Sequence, residues 1–217
     1  MDKLSGEQGS PVCRGWGMTS VMWMRRFIQL LAGLSVFGLG AALMVRAYLG
    51  LDPWNVFHQG LTGLTGLSLG VLSILSGLVV MLLWIPLRQK PGIGTIMNIL
   101  VIGLTLDLFL WLMPEFASWP SRIAALAVGV VLTGIGSAAY IGAGMGTGPR
   151  DGLMVGLNRK FGWSIRVSRM LVELVVLATG WMLGGVVGLG TVVFALSIGP
   201  LVQFFLPYFQ KKTEEKA

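Results

Sequence analysis

Charged residues are scarce in this chain of 217 residues, since Asp, Glu, Lys and Arg make up 12% of it and apolar residues 54%. A soluble domain has about 25% charged residues, so this chain has too few to cover a surface that faces water. The 32 glycines are scattered through apolar runs without a triplet period, which excludes a collagen-like chain. The composition therefore predicts a helical protein that lies in the lipid bilayer.

Residues and motifs that serve in catalysis or metal binding are also few. Cys13 is the only cysteine, which excludes an internal disulfide. His58 is the only histidine and has no Cys, Asp or Glu at ligand spacing around it, so we expect no metal site. Paired catalytic carboxylates, a Gly-x-Ser-x-Gly elbow, a His-Glu-x-x-His motif and a phosphate-binding loop are all missing. The sequence predicts neither an enzyme nor a cofactor.

The net charge of +7 comes from 16 basic and 9 acidic residues. An excess of this size can indicate binding of nucleic acid. In a membrane protein, however, Lys and Arg collect in cytoplasmic loops for reasons of topology. We therefore expect no nucleic-acid partner, and the lipid bilayer is the partner that the sequence itself implies.

The second half of the chain repeats the first without a gap at a shift of 96 positions. The residues that coincide are Arg26/Arg122, Gly33/Gly129, Gly38/Gly134, Gly40/Gly136, Gly50/Gly146, Pro53/Pro149, Gly60/Gly156, Ser68/Ser164, Gly92/Gly188, Gly94/Gly190, Thr95/Thr191, Gly103/Gly199 and Phe109/Phe205. The repeat divides the apolar runs into six transmembrane spans, three in each half. The predicted spans are 26–46, 67–87, 93–113, 122–142, 164–184 and 188–208.

This repeat also predicts the domain organisation. A flexible cytoplasmic leader, 1–25, precedes a first three-span repeat, 26–113, and a linker, 114–121. A second three-span repeat, 122–209, then leads to a charged cytoplasmic tail, 210–217. Because each half has an odd number of spans, the second copy must lie upside down relative to the first. The predicted fold class is an all-α membrane protein of two inverted three-helix repeats, an architecture typical of transporters.

The basic residues predict the orientation of the spans. With the N-terminus in the cytoplasm, 14 of the 16 basic residues lie in the inside segments, and only Arg46 and Arg122 lie outside. The positive-inside rule therefore favours a multi-pass protein of the bacterial cytoplasmic membrane with both termini in the cytoplasm.

A polar segment with a proline lies between the first two spans of each half, at 50–60 and at 146–152. Proline suits the first turn of a helix, and Asp52 before Pro53 is a good N-cap. We expect a short helix after Pro53 and another after Pro149. The two helices either dip inward and line a central cavity, or lie flat at the membrane interface as amphipathic elbows.

Three segments of the second half resemble a known family. They are Gly144-Met-Gly-Thr-Gly-Pro-Arg-Asp-Gly-Leu-Met154, Arg169-x-x-x-Glu173, and Gly188-Leu-Gly-Thr191 leading to Ile198-Gly-Pro200. Their pattern is similar to that of the YczE/YyaS/YitT family of bacterial integral membrane proteins, and the resemblance covers the chain from about Arg26 to Phe209. It implies a multi-span protein of the bacterial cytoplasmic membrane, and it implies no biochemical activity.

Charged residues fall inside the predicted fifth span. Glu173 lies roughly 14 Å into it at 1.5 Å per residue, and Arg166 and Arg169 share its helical face. Burying a charge in hydrocarbon costs at least about 2.5 kcal/mol, so we expect these charged residues to have a structural or functional role. Their counterparts in the first half are small: Gly70, Ser73 and Gly77. The stripe is either a solute or proton site, or an internal ion pair that fixes helix packing.

Asp107, Asn98 and Gln203 add polar groups to the third and sixth spans. We expect Asp107 to join a polar network with Asn55, Arg46 or Arg150. The residues that we predict along a substrate or ion pathway are Asp52, Asn55, Asp107, Arg150, Asp151, Arg169 and Glu173.

Two functions fit this pattern. One is a carrier or channel for a small polar solute or ion, with a site between the repeats and with a homodimer as one form of the protein. The alternative is a membrane partner or assembly factor that transports nothing and docks other proteins through its glycine-rich faces.

Overall fold

The computed structural model describes residues 20–210, which form eight α-helices and no strand. The helices are α1 Ser20–Ala47, α2 Pro53–Thr65, α3 Leu69–Trp84, α4 Ile93–Leu112, α5 Trp119–Gly142, α6 Pro149–Phe161, α7 Ile165–Met182 and α8 Leu189–Phe209. The all-α class predicted from the sequence is confirmed.

Four of these helices, α1, α4, α5 and α8, are long and apolar enough to cross a membrane. A fifth candidate is the pair α2 and α3, which is bent by 111° at the break between its two helices. Of the other predicted spans, 67–87 contains α3, whose 16 residues extend about 24 Å, less than the roughly 30 Å of a hydrocarbon core. Span 164–184 contains α7, whose 18 residues include Arg166, Arg169 and Glu173.

The short helices predicted after the two prolines are present. α2 begins at Pro53 and α6 at Pro149, and each has 13 residues. Each ends at a glycine in the left-handed region, Gly66 or Gly162, with φ of 72° in both cases. A serine, Ser68 or Ser164, then caps the following helix through its side-chain oxygen.

Helices α1 and α5 cross at four glycines, so that their backbones come into contact. A Cβ added to Gly40 would lie 2.7 Å from the carbonyl oxygen of Gly129, and one added to Gly136 would lie 2.7 Å from that of Gly33. These two contacts exchange under the shift of 96 residues, because Gly33 corresponds to Gly129 and Gly40 to Gly136. The crossing therefore has no room for a side chain at these four glycines.

Each half also reaches the other through a backbone hydrogen bond. The N–H of Gly190 donates to the carbonyl oxygen of Leu49 at 2.7 Å, and that of Gly94 donates to Met145 at 3.0 Å. These donors and acceptors again differ by 96 positions. The packing of α1 against α4 likewise has its counterpart in the packing of α5 against α8.

One pair of helices departs from this correspondence. α3 packs along α4, whereas α7 and α8 form no comparable contact, although a short loop joins them. The two halves are therefore alike in their long helices and different at this pair.

The predicted boundaries differ from the observed ones at the leader and at the linker, where α5 begins at Trp119 and makes 119–121 helical. α1 begins at Ser20, so 20–25 of the predicted leader are helical, which suits the apolar run Val21–Met24. The rest of the leader, 1–19, and 211–217 of the tail lie outside the described residues. In the linker 114–121, Arg46 forms an ion pair with Glu115 at 3.3 Å, and Arg122 donates to the carbonyl oxygen of Phe116.

We predict that Gly40→Ala and Gly136→Ala each lower the free energy of unfolding by about 1–3 kcal/mol, because the added methyl group meets backbone atoms that cannot turn aside. The measurement is thermal unfolding of the purified protein in detergent. Both variants are expected to show similar losses.

Gly63→Ala is the matched control. Gly63 lies in α2, and a Cβ there would have no atom within 4 Å. Because alanine favours a helix over glycine, this variant is expected to be as stable as the parent or more stable by up to about 1 kcal/mol. Equal stability of Gly40→Ala and Gly63→Ala would contradict the packing described for α1 and α5.

Candidate functional site

A cavity of about 110 Å³ lies in the middle of the bundle, and residues of all eight helices line it. Five charged side chains are in its wall: Asp52, Arg150, Asp151, Arg169 and Glu173. All five belong to the predicted pathway residues. The first turns of α2 and α6 both open onto this cavity, so the two proline-headed helices meet there.

The first turn of α2 is held by Asp52, which is 5% exposed. Its carboxylate accepts a hydrogen bond from the backbone N–H of Asn55 and another, at 2.5 Å, from the Asn55 side-chain amide. The residues Pro53, Trp54, Asn55 and Val56 are all buried within the protein. This burial favours the inward arrangement of α2 over an elbow that lies flat at a membrane surface.

Arg150 of α6 connects the two short helices. Its guanidinium lies over the ring of Trp54, 4.4 Å from the ring centroid, and 3.8 Å from the Asp52 carboxylate. The start of α6 is fixed further by the indole of Trp84, which donates to the carbonyl oxygen of Pro149 at 3.0 Å. Arg150 thus places a positive charge at the junction of α2 and α6, opposite a buried carboxylate.

Asp151 follows Arg150 and has a different partner. Its carboxylate accepts a hydrogen bond from the Tyr140 hydroxyl at 2.8 Å. A Cβ at Gly148 would lie 3.2 Å from the Asp151 carboxylate and 3.4 Å from the Asn98 amide. The side chains of Asn98, Tyr140 and Asp151 therefore lie on one side of the cavity. Glycine at 148 leaves space beside them.

Arg169 and Glu173 form the ion pair predicted from their spacing, with 2.9 Å between Arg169 Nε and Glu173 Oε1. Their side chains are 46% and 31% exposed. The pair is therefore accessible at the edge of the cavity and is not sealed in the core. Both of its members line the cavity, whereas Arg166 is exposed and does not.

His58, which the sequence suggests only as a candidate metal ligand, belongs to a buried polar chain of side chains. The ring is fully buried, with Nδ1 3.3 Å from Asn55 Oδ1 and Nε2 2.7 Å from Ser76 Oγ. Because the Asn55 amide group already donates to Asp52, Asn55 Oδ1 is left to accept from the histidine. The spacing of Asn55 and His58, three residues apart on one helix face, was the signal for this contact.

Asp107 does not join the network that we expected from the sequence. Its carboxylate accepts from the Ser68 hydroxyl at 2.5 Å and from the N–H of Gly70 at 2.8 Å, so it caps the start of α3. Gly70 allows this because the absence of a side chain lets the start of α3 approach the carboxylate. Asp107 is therefore a residue of helix packing outside the cavity wall. Asn98 lines the cavity, whereas Gln203 is exposed.

Arg46, another expected partner, lies with Glu115 and the carbonyl oxygen of Leu110, far along α1 from the cavity wall. Arg150 and Arg169 fall in segments that the sequence assigns to the cytoplasm, yet both line the cavity. Their charges belong to the site, so only the other basic residues indicate the orientation of the spans.

The cavity offers a small solute charges of both signs, aromatic walls and hydroxyl groups. Within residues 20–210, no group of three or more His, Cys, Asp and Glu side chains is placed to hold a metal ion. The arrangement suits binding and orientation of a polar molecule.

We predict different costs for removing two of the cavity carboxylates. Asp52→Asn removes the charge that faces Arg150 and accepts from Asn55, and it should lower the free energy of unfolding by about 1–3 kcal/mol. Glu173→Gln breaks a half-exposed pair within one helix and should cost less than about 1 kcal/mol. Thermal unfolding in detergent compares the two variants, and a larger loss for Glu173→Gln would contradict this assignment.

Comparison with known proteins places the chain in a family. A family of unknown function, DUF6198, matches residues 24–207. An uncharacterized protein of Haemophilus influenzae is 43% identical over 194 residues, which are 88% of each chain. No solved structure matches.

Two relatives come from Bacillus subtilis. The uncharacterized membrane protein YczE is 36% identical over 184 residues, which are 84% of this chain and 86% of YczE. The uncharacterized protein YyaS is 26% identical over 183 residues, which are 82% of this chain and 91% of YyaS. The resemblance to YczE and YyaS found in the sequence is thus confirmed. The chain belongs to the DUF6198 family and is a homologue of these bacterial proteins.

Proposed function

We propose that this protein is a multi-pass carrier or channel of the bacterial cytoplasmic membrane, which binds a small polar solute or ion in its central cavity. The observation that carries the proposal is the meeting of α2 and α6 at a cavity lined by Asp52, Arg150, Asp151, Arg169 and Glu173. Broken helices whose first turns face a site between two halves are typical of transporters. The membrane location is supported by the four long apolar helices and by the relative YczE, which is described as a membrane protein.

The proposed architecture is six spans in two inverted repeats, with both termini in the cytoplasm. It is supported by contacts that exchange under the shift of 96 positions, such as Gly190 to Leu49 and Gly94 to Met145. In this arrangement α3 and α7 are the second spans of the two halves, each preceded by a short helix that turns into the protein. The shortness of α3 is compatible with a span whose partner α2 covers part of the bilayer depth.

The size of the cavity limits the solute. A cavity volume of about 110 Å³ holds a small cluster of water molecules or one small molecule. Two guanidinium groups and three carboxylates line it, and each guanidinium already faces a carboxylate. The two ion pairs neutralise both guanidinium groups, so a small polar solute can bind beside them without breaking either pair.

The crossing of α1 and α5 suggests how the site could open to alternate sides. These helices touch through the backbones of Gly33, Gly40, Gly129 and Gly136, and small side chains such as Thr133 and Ala139 lie beside them. Such a contact can act as a pivot, about which one half rocks relative to the other. The solute would then be reached from one side of the membrane at a time.

The alternative is a partner or assembly factor that transports nothing. Many of its glycines would then be expected on outer faces, free to dock other proteins. Instead Gly33, Gly40, Gly129 and Gly136 are occupied by contacts between α1 and α5. This use of the glycines favours the carrier or channel, and the following experiment separates the two functions.

We predict that cysteines in the cavity wall react with a water-soluble methanethiosulfonate reagent. Ser73→Cys and Ser137→Cys place a thiol at the cavity with little change of volume, in a Cys13→Ser background that removes the native thiol. The labelling rate of the reconstituted protein is measured with the reagent added to each side of the membrane. We expect both positions to react from at least one side.

Thr133→Cys is the control, because Thr133 is 2% exposed and lies on α5 away from the cavity. It should stay unlabelled under conditions in which Ser137→Cys reacts. If Ser73→Cys and Ser137→Cys react no faster than Thr133→Cys from either side, no aqueous pathway reaches the cavity. The partner or assembly function would then be preferred.

A further inference from the structure

Helices α3 and α4 of the first half pack closely against each other through small and polar residues. A Cβ on Gly103 would lie 2.6 Å from the carbonyl oxygen of Gly70, so the two backbones touch. Asp107 of α4 adds hydrogen bonds to Ser68 and to the N–H of Gly70 at the start of α3. The two helices are therefore in close contact at this wall of the molecule.

The corresponding wall of the second half is open. The positions that match Gly70, Gly103 and Asp107 are Arg166, Gly199 and Gln203. A Cβ on Gly199 would have no atom within 4 Å, and α7 does not pack along α8. We call the space between residues 166–173 of α7 and 194–203 of α8 the α7–α8 gap.

The gap continues into the central cavity. Arg169 and Glu173 line the cavity from α7, and Phe194 and Ile198 line it from α8. Because these two helices form no contact comparable to that of α3 and α4, the gap borders the cavity from the side. Arg169, at 46% exposure, lies between the gap and the cavity.

Both apolar and charged groups border the gap. Leu196 of α8 and Met170 of α7 are largely exposed, at 73% and 58%. Arg166 and Arg169 carry two positive charges against the one negative charge of Glu173. Arg166 is exposed and forms no ion pair with any residue within 20–210. An occupant that complements this border has an apolar chain and a negative head.

We propose that the α7–α8 gap binds an anionic phospholipid of the surrounding bilayer. Its acyl chain lies against α8 near Leu196 and Gly199, and its phosphate lies at Arg166 and Arg169. Basic pockets between membrane helices on the cytoplasmic side are suited to acidic lipid head groups. Trp163, partly exposed just before α7, is a residue type that marks the level of lipid head groups.

The proposal rests on the chain lying in a bilayer and requires no transport. It differs from the solute site in its occupant and its place, because the lipid occupies the α7–α8 gap and the solute occupies the cavity, although Arg169 borders both. A failure of transport in vesicles would leave this inference unchanged, and the following test does not depend on the orientation of the protein in the vesicle.

The test measures which lipid lies at Gly199. Gly199→Cys in the Cys13→Ser background is labelled with a bimane fluorophore, for which the open space at Gly199 leaves room. The protein is reconstituted in phosphatidylcholine vesicles that contain brominated phosphatidylglycerol or, at equal mole fraction, brominated phosphatidylcholine. We expect the anionic lipid to quench several-fold more strongly.

Leu104→Cys is the control position, because Leu104 is 63% exposed on α4 and no basic residue lies within four positions of it. Bimane there should be quenched equally by the two lipids. Adding Arg166→Gln to the Gly199→Cys protein should reduce its preference to the level of the control, whereas Arg166→Lys should retain it. Arg166 is exposed, so neither variant should disturb folding.

Equal quenching by both lipids at Gly199→Cys would overturn the proposal. So would an absence of quenching by either lipid, since another protein or a second copy of the chain would then cover the gap. A preference that survives Arg166→Gln together with Arg169→Gln would also overturn it, because the basic residues would not be its cause.

Discussion

The contact between the backbones of α1 and α5 is the constraint on which the rest of the structure depends. Glycines at the crossing bring the two longest helices together, and the remaining helices are arranged on either side of them. Because α1 and α5 touch at their backbones, the loops after them also come close to the opposite half. The short helices α2 and α6 start from these loops, and their first turns therefore meet at one cavity.

Much of this arrangement could be predicted from the sequence, because it rests on local chemistry or on the repeat. Pro53 and Pro149 mark the starts of α2 and α6, and the spacing of Arg169 and Glu173 predicts their ion pair. Asp52 was recognised as an N-cap from its place before a proline. Each of these inferences involves residues within one turn of each other, for which the backbone determines the geometry.

Contacts between distant segments could not be predicted in the same way. Asp107 binds Ser68 and Gly70, which lie more than thirty positions earlier, and nothing local distinguishes them from Arg150 or Asn55 as partners. The space beside Gly199 also has no local signal, since Gly103 matches it in sequence and is tightly packed. The difference lies in Arg166, whose long side chain stands where Gly70 allows contact.

The hydrogen bonds between the halves limit how far the first half can fold while the chain is being synthesised. The carbonyl oxygen of Leu49 receives its donor from Gly190, at the start of the last helix. When only the first half of the chain has been synthesised, the carbonyl oxygen of Leu49 therefore lacks its final hydrogen-bond donor. The buried turn before α2 becomes complete only when α8 arrives, so the first half cannot reach its final form ahead of the second.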